Sequence, residues 1–281
     1  MPELQENTVH HTLCIPLWGR MLANKAYPDL FPDQDAGRII RELGVDLSGK
    51  KLYKLQYMWM NCLLRQYDMA WEITEYLKAH PRAAVVELGA GLSCLRRQMG
   101  NEENPWYCLD FAEVIALRER HIPKGKREQN VVCDLNDLSW FDKIEFKPED
   151  GIVFVGAGLF YYFECEQVQR LFNTMAERFP GGMLAFDAVN AMGLKGVNAE
   201  VKLAGNATRS FFSLEKPSQE LSAWSENLMN IKEKDYMDGY LAGGWRKTAL
   251  TRLILWVIRR LHLCFILHVE FRPSYGREKT L

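Results

Sequence analysis

Apolar residues along this chain change their rhythm near residue 80. Upstream, Leu63, Tyr67, Ala70, Trp71 and the run from Ile73 to Leu77 recur at helical spacing. His80-Pro81 ends that stripe, because the residue before a proline is pushed out of the helical region. Downstream, short continuous apolar runs take over at 83–88, 106–109, 131–133, 152–155 and 183–186. Runs this short, bounded by turn residues, read as strands buried on both faces. Helical stretches at 112–121 and 166–179 stand between them. Strand, helix, strand in this rhythm predicts an α/β fold with a mostly parallel central sheet covered by helices.

The two ends of the chain are less regular. The first 78 residues read as helices joined by loops, punctuated by Pro28, Pro32, Asp33 and Asp35. Residues 210–214 and 265–271 read as further strands, while 216–244 shows no pattern that places it. The longest apolar stretch, 253–269, carries Arg259 and Arg260. Each charge near the centre of a membrane span costs about 2.5–3.5 kcal/mol. The stretch is therefore predicted to be an amphipathic helix followed by a buried strand, with no membrane association.

Charge and cysteine content narrow the function classes. With 36 acidic and 35 basic residues the net charge is −1, so no global field draws nucleic acid or an anionic membrane. The seven cysteines are scattered and form no C-x-x-C pair. Together with the polar, acidic opening of the chain, they predict a reducing, cytoplasmic setting without a secretory leader. No His/Cys/Asp cluster has metal-ligand spacing, so no metal is expected.

The chemistry concentrates at the strand ends. Val85-Val86-Glu87-Leu88-Gly89-Ala90-Gly91 runs a strand into a glycine turn that lets backbone approach a ligand closely. Alone it fits an ordinary strand-to-helix turn equally well, because Cys94 stands where a dinucleotide fingerprint has its third glycine. Asp110 ends the next strand, where a carboxylate accepts both hydroxyls of a ribose. Asp134 ends the third strand, placed to accept from an adenine amino group, and Asp187 ends the fifth. Asp110 and Asp134 in that order describe an adenosine site, and the absence of a G-x-x-x-x-G-K-[ST] loop argues against a nucleotide triphosphate.

Glu87-Leu88-Gly89-Ala90-Gly91-Leu92-Ser93 resembles motif I of the leucine carboxyl methyltransferase family, which includes polyketide O-methyltransferases. Arg65-Gln66-Tyr67-Asp68 is similar to the family's R-x-x-D block, and residues 106–115 to the segment holding its ribose-binding acid. Cys133-Asp134-Leu135 through Trp140 resembles the adenine block, and residues 158–163 the G-x-x-x-Y-L stretch. The resemblance spans most of residues 12–189. It implies a Rossmann-like class I methyltransferase fold: a mostly parallel seven-stranded sheet in residues 81–281, with residues 1–80 as an N-terminal helical lid of the same domain. It also implies S-adenosylmethionine as cofactor, held by Arg65, Glu87, Gly89, Ala90, Gly91, Asp110, Asp134, Leu135 and Ala157.

Two positions depart from the family. Ala157 stands where a glutamate usually contacts the cofactor, and Ser93-Cys94-Leu95 where Asp-Thr-Arg is usual. Losing a carboxylate partner for the cofactor ammonium costs about 1.5–3 kcal/mol, which Glu87 or a backbone carbonyl would have to offset.

The acceptor side is less defined. No histidine stands beside an acid in a way that marks a general base. That absence favours an acceptor already ionised, a carboxylate or an acidic phenol, and leaves the catalytic residue unassigned. Tyr161 and Tyr162, with Arg20 and Lys25 of the lid, are the candidate substrate contacts. The expected activity is O-methylation of a carboxyl or hydroxyl on a small metabolite, with polyketide-like compounds among the candidates. Methylation of a protein C-terminal carboxylate is the second reading, and a non-catalytic binding relative, motivated by Ala157, the third.

Overall fold

A computed structural model describes residues 9–49, 54–203, 208–237 and 245–274, with side chains from Leu13 onward. Helices α1 (Val9–Ala26), α2 (Ala36–Leu43) and α3 (Gln56–Ala79) precede β1 (Ala84–Leu88). Then follow α4 (Leu95–Gln98), β2 (Trp106–Asp110), α5 (Ala112–His121), β3 (Glu128–Val132) and β4 (Ile152–Gly156). The remainder is α6 (Cys165–Arg178), β5 (Met183–Val189), α7 (Ala191–Leu203), α8 (Pro217–Trp224), β6 (Leu228–Asp235), α9 (Ala249–Arg260) and β7 (Cys264–Phe271). The strands form one seven-stranded sheet in the order β3-β2-β1-β4-β5-β7-β6. The first five are parallel, and β7 enters antiparallel between β5 and β6. This is the Rossmann-like α/β architecture the strand–helix rhythm and the resemblance imply.

Alternation along the strands sorts the core into two layers. Val86 and Leu88 of β1 face the layer that α6 covers, where Phe160, Phe172 and Phe186 meet with centroids 5.0–5.2 Å apart. Edge-to-face aromatic pairs of this kind contribute about 0.5–1.5 kcal/mol each beyond area burial. Val85 faces the opposite layer, against Leu63, Met69 and Ile73 of α3 and Leu255 and Ile258 of α9. Helix α6 begins in a capping box between Glu164 and Gln167, and α9 begins at Thr248, whose hydroxyl accepts from the Thr251 N–H. Both devices satisfy otherwise unpaired first-turn donors.

Two strand expectations are corrected. Residues 208–214 run without a ladder: the Phe211 and Phe212 N–H groups both donate to the Tyr161 carbonyl, at 2.6 and 3.2 Å. The sixth strand is instead β6, in the region that showed no pattern. Its sequence, Leu-Met-Asn-Ile-Lys-Glu-Lys-Asp, is that of a sheet edge, where charge blocks further pairing. At the other edge β3 is Glu128–Val132 rather than 131–133, its first residues being polar. Among the described residues no helix is long and apolar enough to cross a membrane.

The site follows from the strand order. The chain leaves β1 toward β2 on one side, and β4 lies on the other, so a crevice opens beyond the carboxyl ends of these two strands.

Candidate active site

A cavity of about 800 Å³ occupies that crevice, roofed by α1 and α3 and closed at one side by α7 and α9. Strand order sets its two ends. Asp110 and the glycine turn, after β2 and β1, line one end; Cys264 of β7, α7 and α9 line the other. Gly158, after β4, lies between them.

The glycine turn is built tightly. Gly89 and Gly91 have φ of +58° and +51°, a region closed to most side chains. The Gly91 N–H donates to Asp110 Oδ2 at 2.7 Å, and the Phe111 N–H to Oδ1 at 2.8 Å. A carboxylate offers about four lone-pair directions, so Asp110 ties the turn and retains acceptor capacity toward the cavity it lines. From beneath, Arg118 of α5 donates to the carbonyls of Gly91 and Ser93 at 2.9 and 2.8 Å. Its charge is met by Glu128 at 3.4 Å, itself bound by Arg96 at 2.8 Å.

Glu87 belongs to this scaffold. Its carboxylate accepts from Trp106 Nε1 at 2.7 Å, and burial pushes its pKa up, opposed by Arg118, Ser93 and Trp106. Arg20 is likewise engaged: it pairs with Asp33 at 2.8 Å and donates to the Leu92 carbonyl at 2.8 Å, bracing α1 against the turn.

Arg65 enters from α3. One N–H meets Asp187 Oδ2 at 3.3 Å, and the guanidinium lines the cavity. Asp187, fully buried inside β5 two residues before the strand ends at Val189, also accepts from the Gly158 N–H and the Tyr161 hydroxyl, both at 2.6 Å. Beside Arg65, Gln66 donates from Nε2 to Ser93 Oγ at 2.9 Å, and its buried Oε1 has no partner among the described residues.

These features fit a methionyl-adenosine ligand. Arg65 could supply a cation for its carboxylate, Asp110 acceptors for its ribose, and Gln66 Oε1 an unmatched acceptor for its ammonium. Leu88, Phe111 and Leu135 add apolar wall for a base.

At the far end Glu200 of α7 lines the cavity. Burial raises its pKa to about 7, opposed by Arg65. Tyr57 and Tyr236 stand nearby, both held neutral well above the usual tyrosine range chiefly by burial. The Tyr236 hydroxyl donates to Asn61 Oδ1.

The cavity thus gathers Arg20, Arg65, Glu87, Gly89, Ala90, Gly91, Asp110, Leu135, Ala157, Tyr161 and Tyr162 of the expected set. Asp134 and Lys25 are not among its lining residues. Asp134 is exposed and accepts from Asn136 N and Nδ2 at 2.9 and 3.0 Å, so it closes its own turn while its neighbours Leu135 and Asn136 reach the cavity. Lys25 is exposed in the last turn of α1.

Gln66, Arg118 and Glu200 were not singled out by sequence, and Asp187 only as a strand-end acid. Arg118 carried a signal, a charged residue on the apolar stripe of Val114 and Leu117. Glu200 carried none, because α7 mixes small, polar and apolar residues without a clear face.

The profile of the leucine carboxyl methyltransferase family matches residues 15–176. A comparison with curated protein sequences finds no match. Among solved structures, a provisionally assigned methyltransferase from Thermobifida fusca is 12% identical with a TM-score of 0.57, covering 95% of this chain and 96% of that one. A DUF574 family protein from Streptomyces avermitilis is 14% identical with a TM-score of 0.57, covering 94% and 97%. At these identities the likeness shows a shared fold. The profile match spans more than half of the 281 residues, so the chain belongs to the leucine carboxyl methyltransferase family, enzymes that transfer methyl groups from S-adenosylmethionine.

Proposed function

We propose that this enzyme methylates an oxygen, a carboxylate or a hydroxyl, on a small metabolite. The observation that carries the reading is one cavity with two unlike ends. Arg65, the glycine turn and Asp110 line the first; side chains of α7 and α9 wall the second. A cofactor held at the first end leaves an apolar chamber of small-molecule size beside it.

In this reading Arg65 pairs with the cofactor carboxylate, Asp110 accepts from the ribose hydroxyls, and Gln66 Oε1 takes the role left by Ala157. The bound cofactor supplies an electrophilic methyl group on a cationic sulfur. The chain's contribution is alignment of the acceptor oxygen and exclusion of water, with Leu13, Ile15 and Pro16 of α1 forming part of the roof. Positioning of this kind accounts for about 7–11 kcal/mol of barrier lowering in well-oriented systems.

Calorimetry with S-adenosylmethionine and S-adenosylhomocysteine tests the cofactor assignment. Asp110→Ala and Arg65→Ala are each expected to weaken binding at least about tenfold, 1.4 kcal/mol. Release of S-adenosylhomocysteine is then followed against small carboxylates, small hydroxyl compounds and peptides with a free C-terminus. Turnover of peptides alone would replace the small-molecule reading. Binding without turnover of any acceptor would point to a non-catalytic role.

A further inference from the structure

Among the described residues Glu200 is the one cavity carboxylate that cofactor binding leaves without work. Asp110 ties the glycine turn, Glu87 is bound to Trp106, and neither reaches the α7–α9 end. Glu200 has no hydrogen-bond partner among the described residues, although it is partly buried. A carboxylate in such a place costs stability, and a group kept at that cost marks a functional site.

Its surroundings define what it can serve. Val197 and Val201 flank it on α7, and α9 presents only apolar side chains to the cavity, Leu253 and Val257 among them. Among the described residues the titratable groups around Glu200 are Arg65, Tyr57 and Cys62 on α3, Cys264 on β7 and Tyr236 just after β6. Arg65 is the only cation of that set, and it is already shared with Asp187. A carboxylate acceptor lodged here would lie beside Glu200 with no second cation to offset the repulsion. An uncharged acceptor that surrenders a proton only as it reacts meets no such cost.

We propose that Glu200 is the proton acceptor of this site and that it serves a phenolic hydroxyl seated in the apolar chamber between α3, α7 and α9. The proposal rests on the methyltransferase reading and narrows its acceptor class. The acceptor oxygen forms the new C–O bond as the C–S bond breaks, with that electron pair passing to sulfur. The hydroxyl proton passes to the Glu200 carboxylate and leaves to solvent once the product departs. Burial also makes the carboxylate a stronger base, with a pKa of about 7, while leaving it ionised in slightly alkaline solution.

The test uses the full chain and Glu200→Gln with 4-methoxyphenol and 4-nitrophenol, at a pH where only the second is ionised. Removing a general base is expected to lower kcat/KM for 4-methoxyphenol by about 10²–10⁴, and to change 4-nitrophenol far less. S-adenosylhomocysteine affinity, read by calorimetry, stays within about twofold, a few tenths of a kcal/mol. Carbon-13 NMR of glutamate-labelled protein shows one carboxyl titrating near neutrality that Glu200→Gln removes. Equal losses with both phenols, no loss with either, or no near-neutral carboxyl would overturn the assignment. So would a wild-type chain that binds cofactor yet methylates neither phenol. Failure to bind cofactor at all would instead strike the methyltransferase reading itself.

Discussion

Arg65 on α3 and Asp187, two residues before the end of β5 at Val189, meet at 3.3 Å across 122 residues of sequence. Asp187 is fully buried, and the Arg65 side chain is 15% exposed. The same carboxylate holds the Gly158 N–H and the Tyr161 hydroxyl. One acid thus fixes the cation on the cavity wall, the turn after β4 and an aromatic of the chamber.

Asp187→Ala should therefore be severe. Removing one partner of a buried ion pair costs about 3–5 kcal/mol, because the other charge is left uncompensated. The denaturation midpoint should fall with little change in m-value. The double variant Arg65→Leu/Asp187→Leu should lose less than the sum of the two single variants, since neither charge is stranded. Additive losses would show that the pair is not coupled.

Gly158 separates backbone strain from loss of the site. Its φ is +67°, and a Cβ there would lie 2.6 Å from Arg65 Nη1. Gly100 has a similar φ of +62° but nothing within 4 Å of that position. Gly158→Ala and Gly100→Ala should each cost about 1–3 kcal/mol from the backbone alone. Only Gly158→Ala should also displace the guanidinium and weaken S-adenosylhomocysteine binding at least about tenfold, 1.4 kcal/mol. Equal affinities for the two variants in calorimetry would mean Arg65 does not contact the ligand.

The parts of this fold that were legible in the sequence are those buried on both faces. β1, β2, β4 and β5 are almost wholly buried and, apart from Glu87, Asp110 and Asp187, apolar or glycine, and α3 stops where His80-Pro81 requires. The sheet edges were not legible, because β3 and β6 are half solvated and their polar residues erase the pattern. The site divides similarly. The glycine turn and Asp110 lie next to strands and carry local signals. The link between Gln66 and Ser93 depends on packing between α3 and the turn after β1, which no local spacing encodes. Glu200 shows the limit most clearly, since nothing about a glutamate in a mixed helix says that α9 and β7 will enclose it.

Arg118 should behave as a scaffold rather than a contact. It clamps the carbonyls of Gly91 and Ser93 and faces Glu128 and Cys108. Burial alone would raise the Glu128 pKa, but the Gly125 N–H, Arg118 and Arg96 hold it below the ordinary value of 4.5. Its contribution to stability is thus complete above that value and fades as pH falls through the lower folded-state pKa. Arg118→Leu should destabilise the chain by about 3–5 kcal/mol near neutrality, with the gap from wild type shrinking in acid. Urea titrations at several pH values would check this, and a gap independent of pH would assign the loss to packing alone.

Glu200 gives the opposite sign. Its folded-state pKa is raised from 4.5 to about 7, chiefly by burial. Below 4.5 the carboxyl is protonated in both states and has no effect on the pH slope. Between 4.5 and about 7 the unfolded chain releases the proton while the folded chain keeps it, so stability falls as pH rises. Above that window both states are ionised and the loss is complete, at about 3 kcal/mol for a shift of this size. Glu200→Gln is always neutral and should escape the penalty. The variant is expected to match wild type in acid and to exceed it by up to about 3 kcal/mol in mild alkali, while turning over weakly acidic phenols poorly. Denaturant titrations across this range decide the matter: a constant difference between the two proteins would show that the chamber does not strain the carboxylate. A gap that opens through neutrality, alongside lost turnover, would identify a charge kept at the expense of stability because the reaction uses it.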